Sequence, residues 1–146
     1  MNVTNTVTET TFHVRYAETD QMGIVHHTAY AVWMEEGRSH WLRAHGTSFT
    51  EFEKQGLSLA VSELHIRYSQ PARYDQQVTI RCRIDEVRSR KVTFAYEVVD
   101  PETGLIFARG YSKHICIDRQ GNVAKIPDTW RHFLSEGLPD EPNLPT

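Results

Sequence analysis

Residues 15–38 read RYAETDQMGIVHHTAYAVWMEEGR, and this stretch decides the fold. Its second half carries Tyr30, Trp33, Met34 and Gly37, and Trp41 extends the series, so small or apolar residues recur at i, i+3, i+4, i+7 and i+11. That spacing is one stripe of an α-helix. Glu35, Arg38, Ser39 and Arg43 fall on other faces, Glu35 and Arg38 at the separation of an ion pair, and Gly46 is a natural stop. Thr28 is the expected N-cap. The first half has no period: TDQMGIVHH at 19–27, turning at Gly23, reads as an ordered loop that feeds the helix.

Upstream, TFHVRYAE at 11–18 alternates, with Phe12, Val14 and Tyr16 on one face of a strand. Residues 1–10 are polar and are expected to fray. Downstream, a short second helix is expected over 49–55, and after Gly56 the period becomes two. Leu57, Leu59 and Val61 share a face, whereas Leu64, Ile66 and Tyr68 continue in the opposite parity, a slip that predicts a β-bulge near Ser62–Glu63. Pro71 ends that strand. Val78–Ile84, Val92–Val98 and Leu105–Ile117 mark three more, the last two joined by the turn DPETG at 100–104. In the last strand positions 108, 110 and 112 are Ala, Gly and Ser, a face small enough for a helix to lie across. Pro127 opens a short terminal helix through Leu134.

The expected organisation is a flexible segment at 1–10, one domain over 11–136 and a loose tail at 137–146. A strand, a long helix and four consecutive strands form a two-layer α+β domain. The exposed edges of such a sheet call for a second subunit, so a homodimer or homotetramer is expected.

Composition narrows the function classes. The 146 residues are 39% hydrophobic and 24% charged, which suits one globular core. A net charge of −3 gives no general attraction to nucleic acid or an anionic membrane, so neither partner is expected. No run reaches the roughly 18 apolar residues of a membrane helix. The N-terminus MNVTNTVTETT lacks the basic start and apolar run of a signal peptide. Cys82 and Cys116 sit in apolar strands, as buried thiols do in a reducing compartment. A cytoplasmic protein is expected.

The 15–38 stretch resembles the signature of the 4-hydroxybenzoyl-CoA thioesterase family, hotdog-fold enzymes that include the acyl-CoA thioesterases associated with the Tol–Pal system. The resemblance is carried by Arg15–Tyr16, Asp20, Gly23, Val25, His27, Tyr30, Glu35 and Arg38, and by Ala108-x-Gly110 in the closing strand. It implies a long central helix wrapped by a curved five- to six-stranded antiparallel sheet. It also implies an acyl-CoA substrate, or acyl-carrier protein in its place, with Asp20 as the catalytic carboxylate and His27 and Tyr16 as its companions. His26 stands where relatives usually carry an aromatic residue of the acyl pocket. A basic pair in the benzoyl-CoA branch contacts the nucleotide, which points to Arg90 and Lys91 here.

The residue chemistry agrees. Thioester hydrolysis needs a carboxylate or an activated water, and donors for the developing oxyanion, but no metal or cofactor. Asp20 supplies the first, by direct attack or as general base. The N–H groups of Val25–Thr28, with Gly23 turning the chain and Thr28 capping it, supply the second. His26–His27 lacks a third ligand at metal-site spacing, and no GxSxG is present. Two other readings are an enoyl thioester hydratase and a non-catalytic binding module for acyl-CoA or acyl-carrier protein.

Overall fold

The computed structural model describes residue 3 and residues 6–139. Strand β1 spans Val7–His13, helix α1 His27–Ala44, helix α2 Phe49–Glu53 and strand β2 Leu57–Tyr68. Strands β3 (Gln77–Val87), β4 (Lys91–Val99) and β5 (Ile106–Asp118) follow, then helix α3 (Asp128–Ser135). All strand pairs are antiparallel, in the order β1-β3-β4-β5-β2, so this is the expected α+β hotdog sheet with five strands. Among the described residues no helix is long and apolar enough to cross a membrane.

Three boundaries differ from expectation. The strand expected over 11–18 ends at His13, because the chain turns into the 3-10 helix Tyr16–Glu18, whose Glu18 side chain accepts from the Arg15 N–H. Residues 7–10, expected to fray, belong to β1, where Val7–Thr10 pair with Arg83–Ile80. Their alternation is weak in side-chain polarity, but the free edge of β3 supplies backbone partners that outweigh it. The expected loose tail begins late as well: Gly137 is buried against Trp41, and residues 140–146 lie outside those described.

The stripe on α1 does what its spacing demands. Trp33, Met34 and Trp41 are almost wholly buried, each worth about 1.5–3 kcal/mol of apolar burial. At Gly37 the helix lies so close to the sheet that a Cβ would stand 2.8 Å from Ile80 Cγ2. The register shift in β2 falls between Val61 and Glu63, at the predicted bulge. Helix α1 packs over β1, β3 and β4 and leaves most of edge strand β2 uncovered, with Val61, Leu64 and Tyr68 at 50%, 44% and 49% exposure.

Beneath α1 the core holds a polar chain. Tyr96 Oη and Ser112 Oγ are 2.5 Å apart, and Ser112 Oγ lies 2.7 Å from His114 Nε2. Burial, aided by the positive charge of Arg38 and weakly opposed by the Leu59 backbone, lowers the His114 imidazole to about 4. Between an ordinary histidine value near 6.5 and that level, the unfolded chain binds a proton that the folded chain refuses. Stability from this site is therefore complete above about pH 6.5 and falls as pH drops toward 4, by at most about 3 kcal/mol. Urea unfolding from pH 7 to 4.5 should show this loss, and His114→Gln should flatten it; the same slope in both proteins would refute the assignment.

Candidate active site

The loop before α1 is pinned at both ends. A 3-10 turn at Tyr16–Glu18 starts it, and the Glu18 carboxylate accepts from the Arg15 backbone N–H (2.8 Å), the Arg15 guanidinium (2.9 Å) and the Trp33 indole (2.5 Å). Burial pushes the Glu18 carboxyl upward, but those donors outweigh it and hold the group below its usual range. Because Trp33 belongs to the core, Glu18 fastens the loop to α1. The backbone closes the rest: Asp20 N donates to Ile24 O (2.9 Å), Gly23 N to Asp20 O (3.0 Å) and His26 N to Glu18 O (2.8 Å). Gly23 has φ +76°, the left-handed conformation that this tight turn requires. Val25 N donates to Ala72 O (2.8 Å), which seats the loop against the segment after β2.

Asp20 is half-buried at the head of this loop. Its Oδ1 accepts from Met22 N at 2.8 Å, an Asx turn, while Oδ2 has no hydrogen-bond partner among the described residues. One carboxylate oxygen thus shapes the turn and the other is available for chemistry. A pocket of about 380 Å³ opens beside it, bounded by Asp20, Val25 and His27 on one side and by Tyr30, Tyr68 and Pro71 on the other. Tyr68 Oη donates to the His27 carbonyl at 2.9 Å, and the Tyr30 and Tyr68 rings meet edge to face at 5.2 Å. Met22, Ile24, Val25, Tyr30, Tyr68 and Pro71 give the pocket apolar and aromatic walls, and Ser69, Gln70 and His27 add polar groups beside the Asp20 carboxylate.

The donors at the helix start need correction. Val25 and His26 spend their N–H groups on Ala72 and Glu18, and Thr28 N donates to His26 Nδ1 at 3.2 Å. Of the four N–H groups over 25–28, that of His27 is left without a partner among the described residues, and His27 lines the pocket. His26, not Thr28, is the N-cap: its Nδ1 also lies 2.7 Å from Thr28 Oγ1, and its ring stacks on His27 at 4.3 Å. Neither His26 nor Thr28 forms part of the pocket wall.

Tyr16 is also displaced from its expected place. It is 78% exposed and packs edge to face against Tyr74 at 5.6 Å, outside the pocket. Tyr68 stands there instead. Nothing local in the sequence marks it, because it reaches the site only through the pairing of β2 with β5. Arg90 and Lys91 sit at the turn entering β4, the length of that strand from the Val99 end, about 25 Å at ~3.3 Å per residue. Within one chain they do not approach Asp20.

Comparison with known proteins gives the family and the fold. The sequence model of the thioesterase-like superfamily matches residues 14–134. A Bacillus subtilis (strain 168) protein named "Putative acyl-CoA thioesterase YneP" is 35% identical over 114 residues, covering 78% of this chain and 82% of the relative. The crystal structure of hypothetical protein TT1821 from Thermus thermophilus superposes with a TM-score of 0.82 at 37% identity, over 89% of this chain and 96% of that one. A DHNA-CoA thioesterase from Staphylococcus aureus superposes with a TM-score of 0.83 at 27% identity, over 89% of each chain.

Proposed function

Since the chain belongs to the thioesterase-like superfamily, we propose that it hydrolyses acyl-CoA thioesters at the Asp20 pocket. Water is consumed, the carbonyl C–S bond breaks, and a carboxylic acid and the CoA thiol leave. The observation that carries this reading is that Asp20 Oδ2 and the His27 N–H, both without a hydrogen-bond partner among the described residues, belong to residues lining one pocket. The carboxylate attacks the carbonyl or takes a proton from an attacking water. The His27 N–H, at the positive end of α1, receives the charge that develops on the carbonyl oxygen. In this reading the His27 imidazole, held by stacking on His26, orients the water. The Asp20–Gly23–His27–Tyr30 spacing favours the 4-hydroxybenzoyl-CoA thioesterase branch, and buried free thiols at Cys82 and Cys116 suit the cytoplasm, where CoA esters occur.

The working unit in this reading is a homodimer joined along β2. That edge is twelve residues long and carries exposed Val61, Leu64 and Tyr68. Two-fold antiparallel pairing of β2 sets the Tyr68 end of one copy beside the Leu57 end of the other. Lys91 aligns with Ile115, and Ile115 with Ala60, so the second copy's Arg90–Lys91 turn comes within about three strand spacings of the pocket mouth, roughly 15 Å. A CoA nucleotide emerging from the pocket would meet those cations. Thiol release from a panel of short, long and aryl acyl-CoAs is expected, from a species of twice the chain mass in sedimentation. Absence of thiol release across the panel would refute the activity, and a monomeric active species would refute the dimer.

A further inference from the structure

The face of the sheet turned away from α1 is open and holds a groove of about 580 Å³. Two cross-strand rows build it. Arg81, Glu97, Arg109 and Arg67 stand side by side across β3, β4, β5 and β2, and Arg83, Ala95, Tyr111 and His65 form the next row. The short side chain of Ala95, between Arg83 and Tyr111, makes the hollow. The rings of His65 and Tyr111 stack on each other at 5.2 Å and 16°, Lys113 Nζ lies 5.6 Å from the tyrosine ring centre, and the Tyr111 hydroxyl donates to Glu63 at 2.9 Å.

The charges in this groove do not balance. Four arginines line it against two carboxylates, Asp85 and Glu97. Asp85 is taken by Arg83 at 2.6 Å, and Glu97 is shared between Arg81 (3.3 Å) and Arg109 (3.2 Å). Glu9, from the edge strand, adds a second contact to Arg81 at 3.3 Å. Arg67 has no carboxylate partner among the described residues, yet it lies directly opposite Arg109 in the register. Like charges paired across strands are destabilising. The chain as a whole is at −3, so this excess of cations is local and is not a general property of the surface.

We propose that the groove binds a nucleotide phosphate, at a site separate from the Asp20 pocket. Arg67 and Arg109 form the clamp: two planar guanidiniums bind one phosphate with paired charge-assisted hydrogen bonds, and the anion removes their mutual repulsion. The exposed His65 ring, backed by Tyr111, is the surface against which the base lies. Edge-to-edge pairing along β2 leaves the face turned away from α1 open, so the site is compatible with a dimer. It does not depend on the thioesterase reading, because none of its residues lines the other pocket.

Calorimetric titration of the full chain with 3′,5′-ADP and with pyrophosphate tests the proposal. Saturable binding of both is expected, tighter for 3′,5′-ADP, and the double variant Arg67→Gln, Arg109→Gln should weaken each at least about tenfold. Thermal unfolding of Arg67→Gln alone should be unchanged or higher, since it removes the like-charge pair and leaves the Arg109–Glu97 ion pair in place. If the double variant does not fold, Arg67→Gln alone keeps the test, because that side chain makes no hydrogen bond or ion pair among the described residues. Absent binding by the wild type, or equal binding by the variant, would overturn the proposal. So would a wild-type assembly larger than a dimer that the variant dissolves, since the face would then serve as an interface between copies.

Discussion

Asp20→Asn is expected to lower kcat for thioester hydrolysis by at least about 100-fold while KM changes little, the pattern of an interaction made only in the transition state. The substitution separates the two roles of this side chain. Asn keeps an oxygen able to accept from Met22 N, and Asn is favoured in the turn that Asp20 forms. The loop, the Gly23 turn and the Glu18–Trp33 anchor are therefore retained. What disappears is the negative charge on the oxygen facing the pocket, and with it the nucleophile or general base. Steady-state thiol release beside a thermal unfolding curve checks both halves. Turnover near the wild-type level would show Asp20 to be a turn residue only. Loss of turnover together with a collapsed unfolding temperature would put the effect in the fold.

Gly110→Ala should be the most damaging single-methyl change in the sheet, costing about 3 kcal/mol or more. A Cβ at this position would collide with the His65 backbone carbonyl and would stand 3.0 Å from Met34 Cε. The methionine can turn aside, but the carbonyl belongs to β2 and can move only with the strand. At roughly 2–4 °C per kcal/mol for a chain of this size, the melting temperature should fall by about 6–12 °C. Because Tyr68 ends the same strand and lines the pocket, activity should fall too. Gly104→Ala is the comparison: it has open space around it and meets only the cost of φ +77°, on the order of 1 kcal/mol. Equal melting temperatures for the two variants would show that β2 yields without penalty.

Much of this protein is legible along the chain because its signals are local. The α1 stripe works through side chains one helical turn apart, so Trp33, Met34 and Trp41 announce their burial. The parity change around Ser62 is a local count, and the bulge lies there. Ala108, Gly110 and Ser112 announce a close approach, and Gly110 meets both β2 and Met34. Asp20, Gly23 and His27 are legible as one constellation for a related reason: a loop of eight residues leaves little freedom in where its ends lie.

Tertiary structure decided what depends on pairing between distant segments. The start of β1 at Val7 rests on the free edge of β3, and the assignment of the helix cap to His26 follows from where Glu18 and Ala72 take the preceding N–H groups. Tyr68 joins the pocket, and Tyr16 leaves it, through contacts 41 and 58 residues away in the chain, with His27 and Tyr74 respectively. The four arginines of the outer groove come from three strands, and their crowding exists only in the register of the sheet. Thus the sequence alone determined the fold and the placing of Asp20 before a helix, because both are set by periodicities and turns a few residues long. Which of that carboxylate's oxygens is free, which N–H faces it and which rings enclose it were decided by the tertiary structure, because hydrogen bonds between distant segments are allotted only when the chain closes.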